Sequence, residues 1–294
     1  MALSHCIVLL AISSFLGACV ALSFPHLPFD GHHAIHGHRA IHSHHGIHGH
    51  HSRHGIRGHN DTQGWLSGSA TFYGLPTASG PPDNGGACGF KNVNLPPFNS
   101  LTSCGSKALF KGGKGCGSCY LVKCTSHPLC SGQTKLITIT DECLYGGCAD
   151  ATYHFDMAGI AFGSLALPGK ELALHSAGKL AVQFKRVPCD YKGRNVAFHI
   201  EKGSNPMYLA FLIEYQNGEG DLSNVELKEG SSPTWTPVKQ SWGKIWRLDS
   251  SHPLQGPFSI RLTTLSGKTL VVNNAIPAEW KPNTVYESDV NFGI

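Results

Sequence analysis

Nine cysteines, Cys88, Cys104, Cys116, Cys119, Cys124, Cys130, Cys143, Cys148 and Cys189, crowd into one stretch of the chain, and none follows Cys189. How they are read depends on the compartment. Residues 1–22 carry no Asp, Glu, Lys or Arg and run apolar from Cys6 to Leu22, ending in small residues. This pattern predicts a secretory leader cleaved near Ala21 or Ser23. No later stretch is apolar enough to span a membrane, so at most a peripheral membrane association is expected. In a secreted chain, clustered cysteines predict a disulfide framework. The lone Cys116-x-x-Cys119 pair argues only weakly for zinc. Spacing alone leaves the connectivity open.

Between Phe24 and His59 lie thirteen of the nineteen histidines, with much Gly and few large apolar residues. Such a segment cannot offset the entropy of ordering and is expected to be disordered. It reads as a spacer that turns cationic below about pH 6, with a capacity for Zn2+, Cu2+ or Ni2+; no metal is required. Asn60-Asp61-Thr62 is a glycosylation sequon, making Asn60 an expected surface position. The full chain is 41% hydrophobic and 14% charged, and its length suggests two domains. A net charge of +4 favours acidic polysaccharides as partners. The expected boundaries are leader 1–22, His-rich segment 23–60, first domain 61–189, linker 190–195 and second domain 196–294.

Short elements dominate the first domain. Leu136 to Thr140 is rich in β-formers, and Leu180, Val182 and Phe184 alternate. Phe155 to Leu165 is expected to be helical, with Phe155, Ala158, Phe162 and Leu165 near one face. These proportions suit a small closed β-barrel. After Val196 the pattern is one of alternating strands, Val196/Phe198/Ile200, Leu209/Phe211/Ile213 and Phe258/Ile260/Leu262, which indicate a β-sandwich.

Five motifs follow in order: Thr71-Phe72-Tyr73-Gly74, Gly85-Gly86-Ala87-Cys88-Gly89, Gly115-Cys116-Gly117-Ser118-Cys119-Tyr120, Thr140-Asp141-Glu142-Cys143 and His154-Phe155-Asp156. Together they resemble the expansins, plant cell-wall loosening proteins, in their beta-expansin branch. The resemblance implies an all-β fold, a six-stranded double-psi β-barrel related to family-45 endoglucanases followed by an immunoglobulin-like β-sandwich. It also implies the pairs Cys88–Cys116, Cys119–Cys189 and Cys124–Cys130. Cys143 and Cys148 are close enough in sequence to close a small extra loop, which leaves Cys104 over.

Glycosidic hydrolysis uses two carboxyl groups. By resemblance Asp156 stands at the proton donor of the related endoglucanases, with Asp141 and Asp83 at other acidic positions of the groove. Read from the residues alone, Asp156 is a helix N-cap, Asp141 a turn residue after Thr140, and Asp83 an Asx turn. The endoglucanase base would follow Tyr73, where this chain has Gly74, Leu75, Pro76 and Thr77. The resemblance therefore implies binding and loosening of wall glycans such as cellulose and arabinoxylan without hydrolysis. In that reading Thr71, Tyr73, Asp83, Asp141, His154 and Asp156 bond a glycan, and Phe72 stands where many beta-expansins carry Trp.

Sugar rings need exposed aromatics with polar neighbours. Tyr208 and Trp242 match the aromatic positions of the expansin surface, beside Ser241 and Arg247. Trp242 and Trp246 share strand parity unless Gly243 breaks the register, and Trp235, Trp246 and Trp280 are expected in the core. The alternatives are a weak inverting endoglucanase using Asp156 with Asp141 or Asp83, and a metal-sequestering protein led by the His-rich segment. A secreted monomer of the cell wall is expected, with no cofactor and no nucleic-acid partner.

Overall fold

The computed structural model describes residues 64–77 and 86–294. The leader, the His-rich segment, Asn60 and Asp83 lie outside the described residues. Six strands come first: β1 Leu66–Tyr73, β2 Thr102–Gly105, β3 Cys119–Cys124, β4 Lys135–Glu142, β5 His154–Ala158 and β6 Leu180–Val187. They close into a barrel in the order β1-β5-β2-β4-β3-β6. Two neighbouring pairs, β1 with β5 and β2 with β4, are parallel and the rest antiparallel. Alternation sends Ala70, Val122, Ile137, Ile139, Phe155, Met157 and Phe184 into the interior, none more than 2% exposed. Tyr120, Phe155 and Phe184 meet there edge to face.

The expected helix from Phe155 is corrected. Phe155 to Ala158 belong to β5, and only Gly159–Gly163 is helical. Phe155, Ala158, Phe162 and Leu165 all reach the one barrel core, so a strand and the turn after it imitate helical spacing. Asp156 is accordingly no N-cap, a place held by Ala158, and Asp141 lies inside β4 rather than in a turn.

Eight further strands follow: β7 Ala197–Ile200, β8 Tyr208–Glu214, β9 Asn224–Glu229, β10 Thr236–Trp242, β11 Ile245–Asp249, β12 Phe258–Thr263, β13 Thr269–Ile276 and β14 Val285–Glu287. Their order is β13-β12-β9-β10-β11-β8-β7-β14. Strand β10 changes partner midway, with Thr236 to Val238 on β9 and Lys239 to Trp242 on β11. The sheet thereby folds into two layers around a core that joins Phe198, Phe211, Ile213 and Trp246 to Leu227, Phe258, Ile260 and Leu262.

Trp242 and Trp246 do not share a strand. Gly243 turns the chain at φ +51 between them, leaving Trp242 47% exposed and Trp246 4%. Trp235 and Trp280, expected in the core, are half-buried. Lys228 and Arg261, whose chain neighbours Leu227 and Ile260 point inward, place their cations over the Trp235 ring on the outer face. Trp280 meets Phe258 at the core margin.

The disulfides are Cys88–Cys116, Cys119–Cys189, Cys124–Cys130 and Cys143–Cys148. Cys119–Cys189 ties β3 to the segment that leaves the barrel. The two units share apolar contacts as well, since Ala210, Leu212 and Ile245 pack into the barrel cluster. Lys244 donates its backbone N–H to Cys88 O at 3.0 Å and its ammonium to Gln216 Oε1 and Gly220 O, both at 2.7 Å. Buried Asp221 receives Arg186 at 2.6 Å. Burial holds the Lys244 ammonium down at about 7, against the pull of Asp221.

Candidate functional site

The parallel register of β1 and β5 sets Ser69 opposite His154 and Thr71 opposite Asp156. Paired residues share a face, so two side chains from each strand form one row. Thr71 Oγ1 donates to Asp156 Oδ1 at 2.6 Å and lies 2.8 Å from His154 Nε2. A hydroxyl has one hydrogen, so His154 Nε2–H must be the donor to Thr71. In the neutral imidazole that burial favours, Nδ1 is then the acceptor and Ser69 Oγ donates to it at 2.7 Å. The resulting chain, Ser69 to His154 to Thr71 to Asp156, needs a neutral imidazole. Burial holds His154 down at about 4, and the Lys179 charge acts in the same direction. Burial also raises the Asp156 carboxyl above its ordinary range, with Asp141 adding to it and the Thr71 hydrogen bond opposing it. A carboxyl raised in this way suits a proton donor.

Across the row, β2 brings Cys104 opposite both Asp156 and Asp141. The two aspartates therefore stand one on either side of β2, with Cα atoms about 10 Å apart at ordinary strand spacing. Asp141 Oδ1 accepts the backbone N–H of Ala87 at 2.6 Å and of Glu142 at 2.8 Å. The buried Cys104 thiol is 3.7 Å from Oδ2. Tyr73 packs on the cluster of Cys104, Cys143 and Cys148. Asp141 thus pins the turn Gly86–Cys88 to the barrel wall.

The same turn leads to the second layer. A Cβ on Gly89 would lie 2.8 Å from Ile245 Cδ1 and 3.2 Å from Trp242 Cη2. Trp242 therefore begins where the turn from Asp141 ends. Ser241 is exposed at the bulge of β10 beside it. Along β11, Arg247 stands opposite Ala210 and Asp249 opposite Tyr208, all on the face that carries Ile245. Arg247 Nε pairs with Asp249 Oδ2 at 3.4 Å. Thr71, Tyr73, Asp156, Asp141, Trp242, Arg247 and Tyr208 thus follow one path from barrel to sandwich.

Two expected glycan contacts do not join it. His154 is completely buried, so its ring orients Thr71 and cannot touch a ligand. Gly147 of the loop closed by Cys143–Cys148 lies against that ring and roofs it. Phe72 alternates away from Thr71 and Tyr73, packing on Phe162 at 5.0 Å and edge-on to His175 at 4.4 Å. Ser69 and Cys104 were not expected at the site. The spacing Ser69-x-Thr71-x-Tyr73 on a strand was the available signal for Ser69, whereas nothing local marks Cys104. Among the described residues no group of His, Cys, Asp and Glu is arranged to hold a metal ion.

The family profile described as "Expansin C-terminal domain" matches residues 196–277. A second, described as "Lytic transglycolase", matches residues 102–184. Expansin-B7 of Oryza sativa subsp. japonica is 55% identical over 239 residues, covering 78% of this chain and 72% of that one. Expansin-B1 of Zea mays is 51% identical over 229 residues, covering 78% and 84%. Among solved structures, the apo expansin of Clavibacter michiganensis matches with a TM-score of 0.59 at 20% identity, covering 78% of this chain and 99% of that one. A variant of that protein solved in complex with cellohexaose matches equally well.

Proposed function

The chain belongs to the expansin family, in its B group, and on that premise we propose that it grips wall polysaccharide along the path from Asp156 to Trp242 and loosens contacts between polymers without cutting them. One observation carries the reading: an acid is held ready and, among the described residues, no partner is placed to activate water. Asp156 has a raised carboxyl and a fixed hydroxyl donor. The positions after Tyr73 hold Gly74, Leu75, Pro76 and Thr77, none of which accepts a proton. Asp141 spends Oδ1 on two backbone N–H groups, a latch rather than a base. Inverting hydrolysis needs both groups, so an acid alone leaves tight, oriented binding as its main product. The cellohexaose held by the Clavibacter michiganensis relative supports a β-glucan chain as ligand. The site needs no cofactor, and the protein acts as a secreted monomer in the wall.

A second reading rests on the "Lytic transglycolase" match of the barrel. A lone acid suffices where a hydroxyl of the substrate itself attacks in place of water. Heat-inactivated wall strips clamped under constant load at acidic pH separate these readings. Extension with no sugar or shortened glycan in the bath supports loosening; extension that tracks released product supports cleavage.

A further inference from the structure

A small pocket lies where the outer wall of the barrel meets the segment leaving it, and the path from Asp156 to Trp242 uses none of its residues. Pro97, Phe98, Leu101, Leu136 and Tyr191 give it an apolar wall and Asp190 a charge. Phe98 and Tyr191 meet edge to face at 5.8 Å. Leu136 alternates with the core residue Ile137, so it stands outside β4 and is 40% exposed. Asp190 pairs with Lys192 at 3.9 Å, a loose contact to a side chain that is itself 87% exposed. An apolar wall beside a weakly compensated carboxylate suits an apolar peptide that carries a cation.

Strand register leads from this pocket to the start of the described chain. Leu136 stands opposite Leu121 on β3, and Leu121 opposite Lys185 on β6. Lys185 Nζ is 5.5 Å from the ring of Trp65, the residue just before β1. Three strand spacings thus separate Trp65 from Leu136, about 14 Å. The described residues resume at Gly64, so the preceding chain joins the barrel on the side that carries the pocket. Past the leader, that chain holds one dense apolar run, Phe24-Pro25-His26-Leu27-Pro28-Phe29, next to the cleavage position expected near Ala21 or Ser23.

We infer that residues 24–29 of the same chain dock in this pocket, their apolar side chains against Phe98, Leu136 and Tyr191. The α-ammonium left by leader cleavage supplies the cation for Asp190. Residues 30–64 are the tether. A Gly-rich linker of that length has an end-to-end distance of about 30 Å, ample for the gap, and holds the run at an effective concentration of about 1 mM. Tyr191 donates its backbone N–H to Asn217 Oδ1 at 2.8 Å, so the docked run braces the joint between barrel and sandwich. The inference does not depend on how the path from Asp156 to Trp242 acts.

Limited chymotrypsin digestion of the full chain after leader removal tests this. The run offers that protease one bond, after Phe29, because Pro25 and Pro28 block cleavage after Phe24 and Leu27. Cleavage after Phe29 is expected to be about tenfold slower in the parent than in a synthetic peptide of residues 23–35, the protection given when effective concentration exceeds the dissociation constant tenfold. Leu136→Gln in the pocket and Leu27→Ser in the run should each restore the rate of a peptide carrying the matching run, and the double variant should be no faster than either. Leu136 is exposed, so its substitution leaves the fold intact, which circular dichroism checks. The inference is overturned if the parent is cut as fast as the peptide, if Leu136→Gln leaves the protection in place, or if protection rises with protein concentration, the mark of docking on a second copy.

Discussion

Thr71 and Asp156 share one hydrogen bond, 2.6 Å long, and its direction sets the protonation of everything behind it. Because the Thr71 proton points at the carboxylate, His154 must donate to Thr71, and as the neutral imidazole that burial favours it accepts from Ser69. Thr71→Val removes the donor and strands the buried imidazole N–H, a loss of about 1–3 kcal/mol. Wall extension is expected to disappear in Thr71→Val and persist in Thr71→Ser. The Asp156 carboxyl should titrate still higher in the valine variant, read from its carboxyl carbon by NMR.

Protonation of His154 opposes folding. Its ordinary value of 6.5 falls to about 4 in the folded chain, through burial first and the Lys179 charge second. A depressed value means that the contribution is complete above pH 6.5 and lost as pH falls through about 4. The loss amounts to roughly 3 kcal/mol at most. Urea midpoints measured from pH 7 to pH 4 should decline more steeply in the parent than in His154→Gln. Parallel curves would rule out a buried neutral imidazole.

Glu214 acts with the opposite sign. It lies buried on β8 beside Arg194 and Lys91, and burial pushes its carboxyl up to about 7 against the pull of those two cations. A raised carboxyl contributes fully below about 4.5 and loses that contribution as pH rises through about 7. Glu214→Gln is expected to match the parent near pH 4 and exceed it above pH 7, by roughly 3 kcal/mol at most. Thermal melts across that range provide the measurement.

The two tryptophans of the β10–β11 hairpin separate binding from stability. Trp242→Ala removes an exposed ring and is expected to weaken cellohexaose binding about tenfold with little change in melting temperature. Trp246→Ala empties part of the sandwich core and should cost about 3–5 kcal/mol. Trp246→Phe should cost less, since the buried Trp246 Nε1 has no hydrogen-bond partner among the described residues. Calorimetry of both variants, with and without ligand, distinguishes the two roles.

Much of this was legible from residues. The β-rich run Leu136 to Thr140 and the alternation Leu180, Val182, Phe184 lie in β4 and β6, and closeness in sequence suggested the Cys143–Cys148 pair, whereas the other three disulfides were implied by the family resemblance alone. What escaped depends on contacts distant in sequence. Phe155 to Leu165 carries helical spacing because two different elements face one core. His154 sits in a motif with Asp156, yet only the Gly147 loop folding over it makes it unreachable. Cys104 reaches the site because β2 inserts between β4 and β5, an order that no local pattern contains. Gly243 decides the fate of Trp242 and Trp246 by turning the chain, a possibility that the residue type raised and only the fold resolves.

The central claim is that Asp156 works without an activated water. Its most direct test is to incubate the protein with cellohexaose and with arabinoxylan in 18O-enriched water at acidic pH and to examine the glycans by mass spectrometry. Asp156→Asn and Asp83→Asn serve as parallel samples, each also scored for wall extension. The account predicts intact chains with no 18O beyond that of a protein-free control, while extension is present in the parent and lost in Asp156→Asn. Shortened chains carrying 18O at the new reducing end, absent in Asp156→Asn, would contradict it and establish hydrolysis.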